Sequence, residues 1–146
     1  MLSQEILDLY KKSRLMTYRA MFGRIREKSG SLSATEAYAV DVIYLLHGPT
    51  VKQFADCLGI SQPNATYKLN QLIQKGYVEK VPSTADRREL HLHVTDKYMR
   101  YWNESSSTMH RALDLLQQRF SDGELAVFSQ MLQVLADTLS DSGTDL

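Results

Sequence analysis

The chain has 146 residues, a length that suits one compact domain or one domain with helical extensions; its 17 basic and 17 acidic side chains sum to zero net charge at neutral pH, which at first sight argues against a nucleic-acid partner. Hydrophobic residues make up 43% and charged residues 23%, an ordinary globular balance, and no apolar run approaches the ~20 residues of a membrane span. The N-terminal Met1-Leu-Ser-Gln-Glu lacks the layout of a secretory leader, and the single cysteine, Cys57, excludes an intramolecular disulfide, so a cytoplasmic location is expected.

The charge is unevenly spread: residues 1–60, 61–100 and 101–146 carry local balances of +2, +3 and −5. A mildly basic middle followed by an acidic final third suggests a chain that offers only part of its surface to a polyanion.

Residues 3–28 read as a helix, with Ile6, Leu9, Tyr10, Met16, Met21, Phe22 and Ile25 near the 3.6-residue period and Ser29-Gly30-Ser31 as its stop. Ser33-Ala-Thr-Glu36 is a capping box that opens a second helix running to His47, where Gly48-Pro49 ends it. Thr50 with Gln53 is a second box, starting a short helix with Phe54, Ala55 and Leu58 on its buried stripe and Gly59 at its close. Ser61 caps the next helix, which tolerates Pro63 in its first turn, buries Ala65, Leu69, Leu72 and Ile73, and ends at Gly76. The period then changes: Tyr77–Val81 and Leu90–Val94 read as a hairpin, one face packed and one wet, around a polar loop from Pro82 to Glu89. Residues 96–120 return to helix, and Ser121-Asp-Gly-Glu124, with Phe120 and Leu125 as a hydrophobic staple, starts a last helix over roughly 122–140. The order is ααααββαα: a mainly α fold with a small β-hairpin.

Two helices meeting across Leu58-Gly59-Ile60-Ser61, the second capped and polar in its early turns, have the build of a helix-turn-helix. Such a second helix enters a major groove ~12 Å wide. With Ala65, Leu69 and Leu72 inward, Ser61, Gln62, Pro63, Asn64, Thr66, Tyr67 and Asn70 face outward, where amides and hydroxyls pair with base edges and apolar carbons touch thymine methyls. Lys68, Lys75 and Lys80 suit phosphates. The loop Asp86-Arg87-Arg88-Glu89 puts two guanidinium groups at the tip of a β-ribbon, placed to enter a flanking minor groove. Asp86 is expected to pair with Arg88 and hold its rotamer. Because the exposed helix face is largely uncharged, a winged-helix protein-interaction module without sequence-specific DNA readout stays open as the alternative.

The run Val51-Lys-Gln-Phe-Ala-Asp-Cys-Leu-Gly-Ile-Ser-Gln-Pro-Asn-Ala-Thr66, then Leu69, Leu72, Lys75-Gly-Tyr-Val-Glu-Lys80, Asp86-Arg-Arg88 and Val94-Thr95, resembles the signature of the MarR family of winged helix-turn-helix transcriptional regulators. The resemblance covers residues 33–97, and the D-x-R wing motif is its most specific part. It implies a homodimer on pseudo-palindromic double-stranded operator DNA, acting as a repressor released by a small effector lodged between dimerisation and DNA-binding regions. The expected division is an N-terminal dimerisation helix (1–32), a winged helix-turn-helix (33–95) and C-terminal dimerisation helices (96–146). Leu7, Tyr10, Tyr18, Leu115, Val127 and Val134 exceed what one buried stripe per helix needs and suit an isologous interface. One departure is Tyr98, where the family commonly has glycine.

Tyr18, Phe22, Tyr38, Tyr98 and Trp102 are candidates for an aromatic effector pocket, although aromatics at helical spacing more often fill a core. His91 and His93 share a strand face, with His47 and His110 elsewhere, but no cysteine or carboxylate completes a ligand set; wing histidines are expected to face solvent or phosphate. No metal or cofactor is expected. Cys57 reads as a small, partly buried thiol. Phosphate loops, nucleophile elbows and His-Glu metal motifs are absent from the sequence, so no enzyme is expected.

Overall fold

The computed structural model describes residues 1–25 and 31–141, and these fall into two compact units, Met1–Ser105 and Ser106–Leu146. The helices are α1 (Leu2–Ile25), α2 (Ala34–Leu45), α3 (Val51–Leu58), α4 (Gln62–Gln74), α5 (Asp96–Arg119) and α6 (Asp122–Asp141); the strands are β1 (Val78–Pro82) and β2 (Leu90–Val94). This is the expected element order. The boundary between the units falls inside α5 rather than at its start. The predicted stop of the first helix at Ser29-Gly30-Ser31 lies largely outside the described residues. Among the described residues no helix is long and apolar enough to cross a membrane.

The helix starts are set locally. Ser33 Oγ accepts the Glu36 N–H while the Glu36 carboxylate accepts the Ser33 N–H at 2.6 Å, and Thr50 and Gln53 repeat the arrangement. Each box satisfies backbone donors that the first helical turn leaves orphaned. The end of α2 differs from expectation. It stops at Leu45, and the chain turns through His47 (φ +54°) and Gly48 (φ +87°). A side chain at 48 would be strained by that φ and would also meet the His93 imidazole, 3.0 Å from an ideal Cβ.

The core of the first unit is built from Val40 and Ile43 of α2, Phe54 and Ala55 of α3, Ala65, Leu69 and Leu72 of α4, Leu92 of β2 and Tyr98 of α5, all essentially inaccessible. The hairpin is antiparallel, with Val78 opposite Val94 and Pro82 opposite Leu90. Only its root is packed: Val78 and Leu92 are buried, while Val81 and Leu90 are exposed. The far edge of β2 is held by a bridge between Thr50 and His91 and by the Leu92 N–H donating to Pro49 O at 2.8 Å. The hairpin is thereby fastened to the start of α3 as well as to the end of α4.

In the second unit, Ser121 and Glu124 form the predicted capping box. An apolar groove of about 550 Å³ is lined by Leu116, Phe120, Leu125, Val127, Phe128 and Met131. Phe120 and Leu125, the staple pair, both contribute to it.

Leu92 anchors the hairpin root and is fully buried. Leu92→Ala is expected to cost about 2–5 kcal/mol, as for other buried leucines, read as a lower urea midpoint with an unchanged slope. A cost below about 0.5 kcal/mol, the range of surface substitutions, would show that the root is not packed as described.

Candidate nucleic-acid interface

Helices α3 and α4 are joined by the three residues Gly59, Ile60 and Ser61, with Gly59 as the pivot at φ +64°. The Ile60 N–H reaches back to Ala55 O at 3.1 Å and the Gly59 N–H to Asp56 O at 3.1 Å, closing α3 in a left-handed cap that glycine adopts at little cost. Ser61 then caps α4 through the Asn64 N–H at 3.4 Å. Pro63 occupies the first turn, where its missing N–H leaves nothing unpaired.

With Ala65, Leu69 and Leu72 buried, the opposite face of α4 presents Gln62, Pro63, Asn64, Thr66, Tyr67 and Asn70 to solvent, together with the capping Ser61, and Lys68 lies half-buried at its margin. Gln71, which sequence reasoning did not single out, belongs with this group: its amide donates to the Tyr67 hydroxyl at 3.1 Å. The i, i+4 spacing of the two residues was the available signal.

The wing loop is ordered by its own side chains. Ser83 Oγ accepts the N–H groups of Ala85 and Asp86, and the Ser83 N–H donates to Glu89 O at 2.8 Å. Asp86 does engage Arg88, but not as expected: its carboxylate accepts the Arg88 backbone N–H at 2.9 Å. Among the described residues no ion pair joins Asp86 to the Arg88 guanidinium. The aspartate therefore shapes the turn, and Arg87 and Arg88 are both exposed at its tip. Lys80, also exposed, stands on β1 opposite Leu92.

Two expectations need correction. Lys75 is not left free for a phosphate. Its ammonium lies 2.7 Å from the Glu36 carboxylate and 3.0 Å from Ser31 O, so its charge is compensated within the protein. His91 does not face solvent: it is half-buried, with Nδ1 2.6 Å from Gly48 O, while His93 is exposed. Among the described residues no three His, Cys, Asp or Glu side chains gather as a metal-ligand set.

Comparison with known proteins follows the same stretch. Residues 31–89 match the model of the family described as MarR family. The chain is 29% identical over 99 residues to the transcriptional repressor MprA of Escherichia coli K12, which covers 68% of this chain and 56% of MprA. It thus spans little more than half the length of that curated relative. Among solved structures, Streptococcus pneumoniae FabT in complex with DNA is 27% identical, with 97% of this chain and 99% of FabT covered at a TM-score of 0.55. A MepR mutant from a multidrug resistant S. aureus clinical isolate shares the fold at a TM-score of 0.62 and 13% identity, over 95% of this chain and 97% of that one.

The chain is similar to the MarR family over residues 31–89.

Within this fold the five aromatic residues proposed as one effector pocket separate into two groups. Tyr18, Phe22 and Tyr38, with Leu15 and Arg19, line an open groove of about 750 Å³. Tyr98 is instead fully buried, its hydroxyl donating to Asp41 at 2.5 Å, and belongs to the core. Trp102 packs beside Tyr44, which also meets Tyr98, at ring separations of 4.8 and 5.5 Å. Tyr98, the departure from the family pattern, thus ties α5 to α2 by a hydrogen bond that a glycine cannot make.

Glu36 is the buried carboxylate of the region. Burial by itself raises its pKa, but the hydrogen bonds from Lys75 and Ser33, with the attraction of the Lys75 charge, outweigh this and hold the group below the usual glutamate range. A folded-state pKa below the unfolded one stabilises the fold above the ordinary value, about 4.3, and that contribution is lost as pH falls through the depressed one. The gap in denaturation midpoint between wild type and Glu36→Gln should therefore be widest near neutrality and close in acid. A gap independent of pH would show that the charge is not what matters.

Proposed function

We propose that this chain is a regulator of the MarR family: a homodimeric, sequence-specific double-stranded DNA-binding transcriptional regulator, acting in the cytoplasm by binding rather than by catalysis, and a repressor in sign. The observation that carries the reading is the juxtaposition of a solvent-facing, uncharged polar face on α4 with a self-ordered wing that leaves Arg87 and Arg88 exposed. The full-length likeness to FabT, whose structure is a complex with DNA, and the likeness to the repressor MprA support it.

In this reading residues 33–95 are the reading head. The α4 face of Ser61, Gln62, Pro63, Asn64, Thr66, Tyr67 and Asn70 addresses base edges in the major groove, where donors, acceptors and thymine methyls distinguish the base pairs. Lys68 and Lys80 address phosphates, which fix position without reading sequence. The wing arginines, Arg88 foremost, enter the flanking minor groove, whose negative potential rises as it narrows. Residues 1–32 and 96–146 form the dimer. Each unit exposes apolar side chains of its own: Leu7, Tyr10 and Leu15 on α1, and Val127, Met131 and Val134 on α6. Covering them with a second copy removes them from water and sets two reading heads about one turn of DNA apart, ~34 Å. The groove of Tyr18, Phe22 and Tyr38 is the place for a small effector that releases the DNA.

A gel shift with random duplex pools tests the whole reading: the selected motif should be two-fold symmetric, and a pool without enrichment would overturn it. Arg88→Ala should weaken binding to that motif by about 1–3 kcal/mol, the scale of one good groove contact; equal affinity at physiological salt would remove the wing from the interface. Val134→Asp places a charge on the proposed apolar interface. It should shift the protein toward monomer in sedimentation and lower operator affinity with it, and a dimer that persists unchanged would take α6 out of the interface.

A further inference from the structure

The end of the reading helix is gripped more firmly than its apolar packing requires. Lys75 is the C-cap of α4, and its ammonium bridges the Glu36 carboxylate of α2 (2.7 Å) and the carbonyl of Ser31 (3.0 Å). The same residue's carbonyl accepts the Lys97 ammonium of α5 at 2.7 Å, and the next carbonyl, Gly76, accepts the Thr95 hydroxyl at 2.6 Å. The Glu36 side chain is only 9% exposed and that of Lys75 is 30% exposed. An ion pair so placed is a poor way to gain stability, since desolvation offsets much of its attraction. Its directionality is what apolar contact lacks.

We propose that Glu36 and Lys75 are a positioning pair that sets the tilt of α4, acting on base readout through the helix rather than by touching DNA. This rests on the DNA-reading function above. The base-facing residues begin near Asn64, eleven positions from Lys75, or about 16 Å along the helix at 1.5 Å per residue. A tilt of about 10° at the gripped end displaces such a residue by roughly 3 Å, far beyond the half-ångström spread of a good hydrogen bond. The apolar stripe of Ala65, Leu69 and Leu72 keeps α4 on the core and limits how far it can move, but apolar contact alone specifies no direction. The pair supplies the missing constraint and fastens it to the first turn of α2.

The test opposes two signs. Glu36→Gln keeps an oxygen for the Ser33 N–H but removes one negative charge per subunit, so simple electrostatics makes every duplex bind more tightly. The positioning role makes the selected motif bind about tenfold more weakly, the scale of one mis-aimed base contact, with random duplex unchanged or slightly tighter. Lys75→Met should weaken the motif similarly and leave the slope of log affinity against log salt unaltered, whereas a lost phosphate contact lowers it by about 0.9. Motif binding by Glu36→Gln that equals or exceeds wild type overturns the proposal, as does a flattened salt slope in Lys75→Met. Should Glu36→Gln fail to fold, the motif affinity and salt slope of Lys75→Met decide it. Wild-type protein that selects no motif overturns both readings, while a wild type that selects one and variants that keep it overturn only the pair.

Discussion

The close packing of α3 against α4 holds the rest of the molecule to its geometry. Ala55 and Ala65 are both essentially inaccessible, one on each helix, within the core that Phe54, Leu69 and Leu92 complete. A larger residue at either position pushes the helices apart, since packed interiors have little spare volume. Gly59, in its left-handed conformation, lets the chain turn sharply enough for the two helices to meet there. From that crossing follow the outward aim of the polar α4 face and the seat for Leu92, and through Leu92 the root of the wing.

The wing itself illustrates how little of a projecting ribbon needs a core. Val78 and Leu92 bury the base, the Pro49–Thr50 segment takes the free edge of β2, and beyond that point order comes from side chains bonding to their own loop. Asp86 gives its carboxylate to a backbone N–H, and among the described residues neither arginine has an ion-pair partner. Under the proposed DNA-binding function, a partner inside the protein would compete with phosphate or the minor groove for these groups.

Legibility in the sequence tracked the range of the interaction. The capping boxes at Ser33, Thr50 and Ser121 lie within one helical turn, and all three form as their spacing implies. The buried stripe of α4 and the antiparallel hairpin followed from periodicity alone. What the sequence did not show joins distant positions: Lys75 reaches Glu36 across 39 residues, His91 reaches Gly48 across 43, and Tyr98 reaches Asp41 across 57. Residue type pointed the wrong way for the first two, because a lysine near a reading helix suggests phosphate and a histidine on a wing suggests solvent. Tyr98 and Trp102 were drawn into one aromatic set with Tyr18, Phe22 and Tyr38 by composition, and separated only by the path of α5. The Asp86–Arg88 pairing was right in its partners and wrong in its atoms, a distinction that spacing cannot make.

Glu36 serves two masters. Its carboxylate closes the first turn of α2 and is also the counterion of the residue that ends α4. Neither helix terminus can fray without loosening the other, so the two should open to solvent together as one cooperative patch in amide exchange. Ser33, ordinary in every local respect, is thereby joined to the far end of α4.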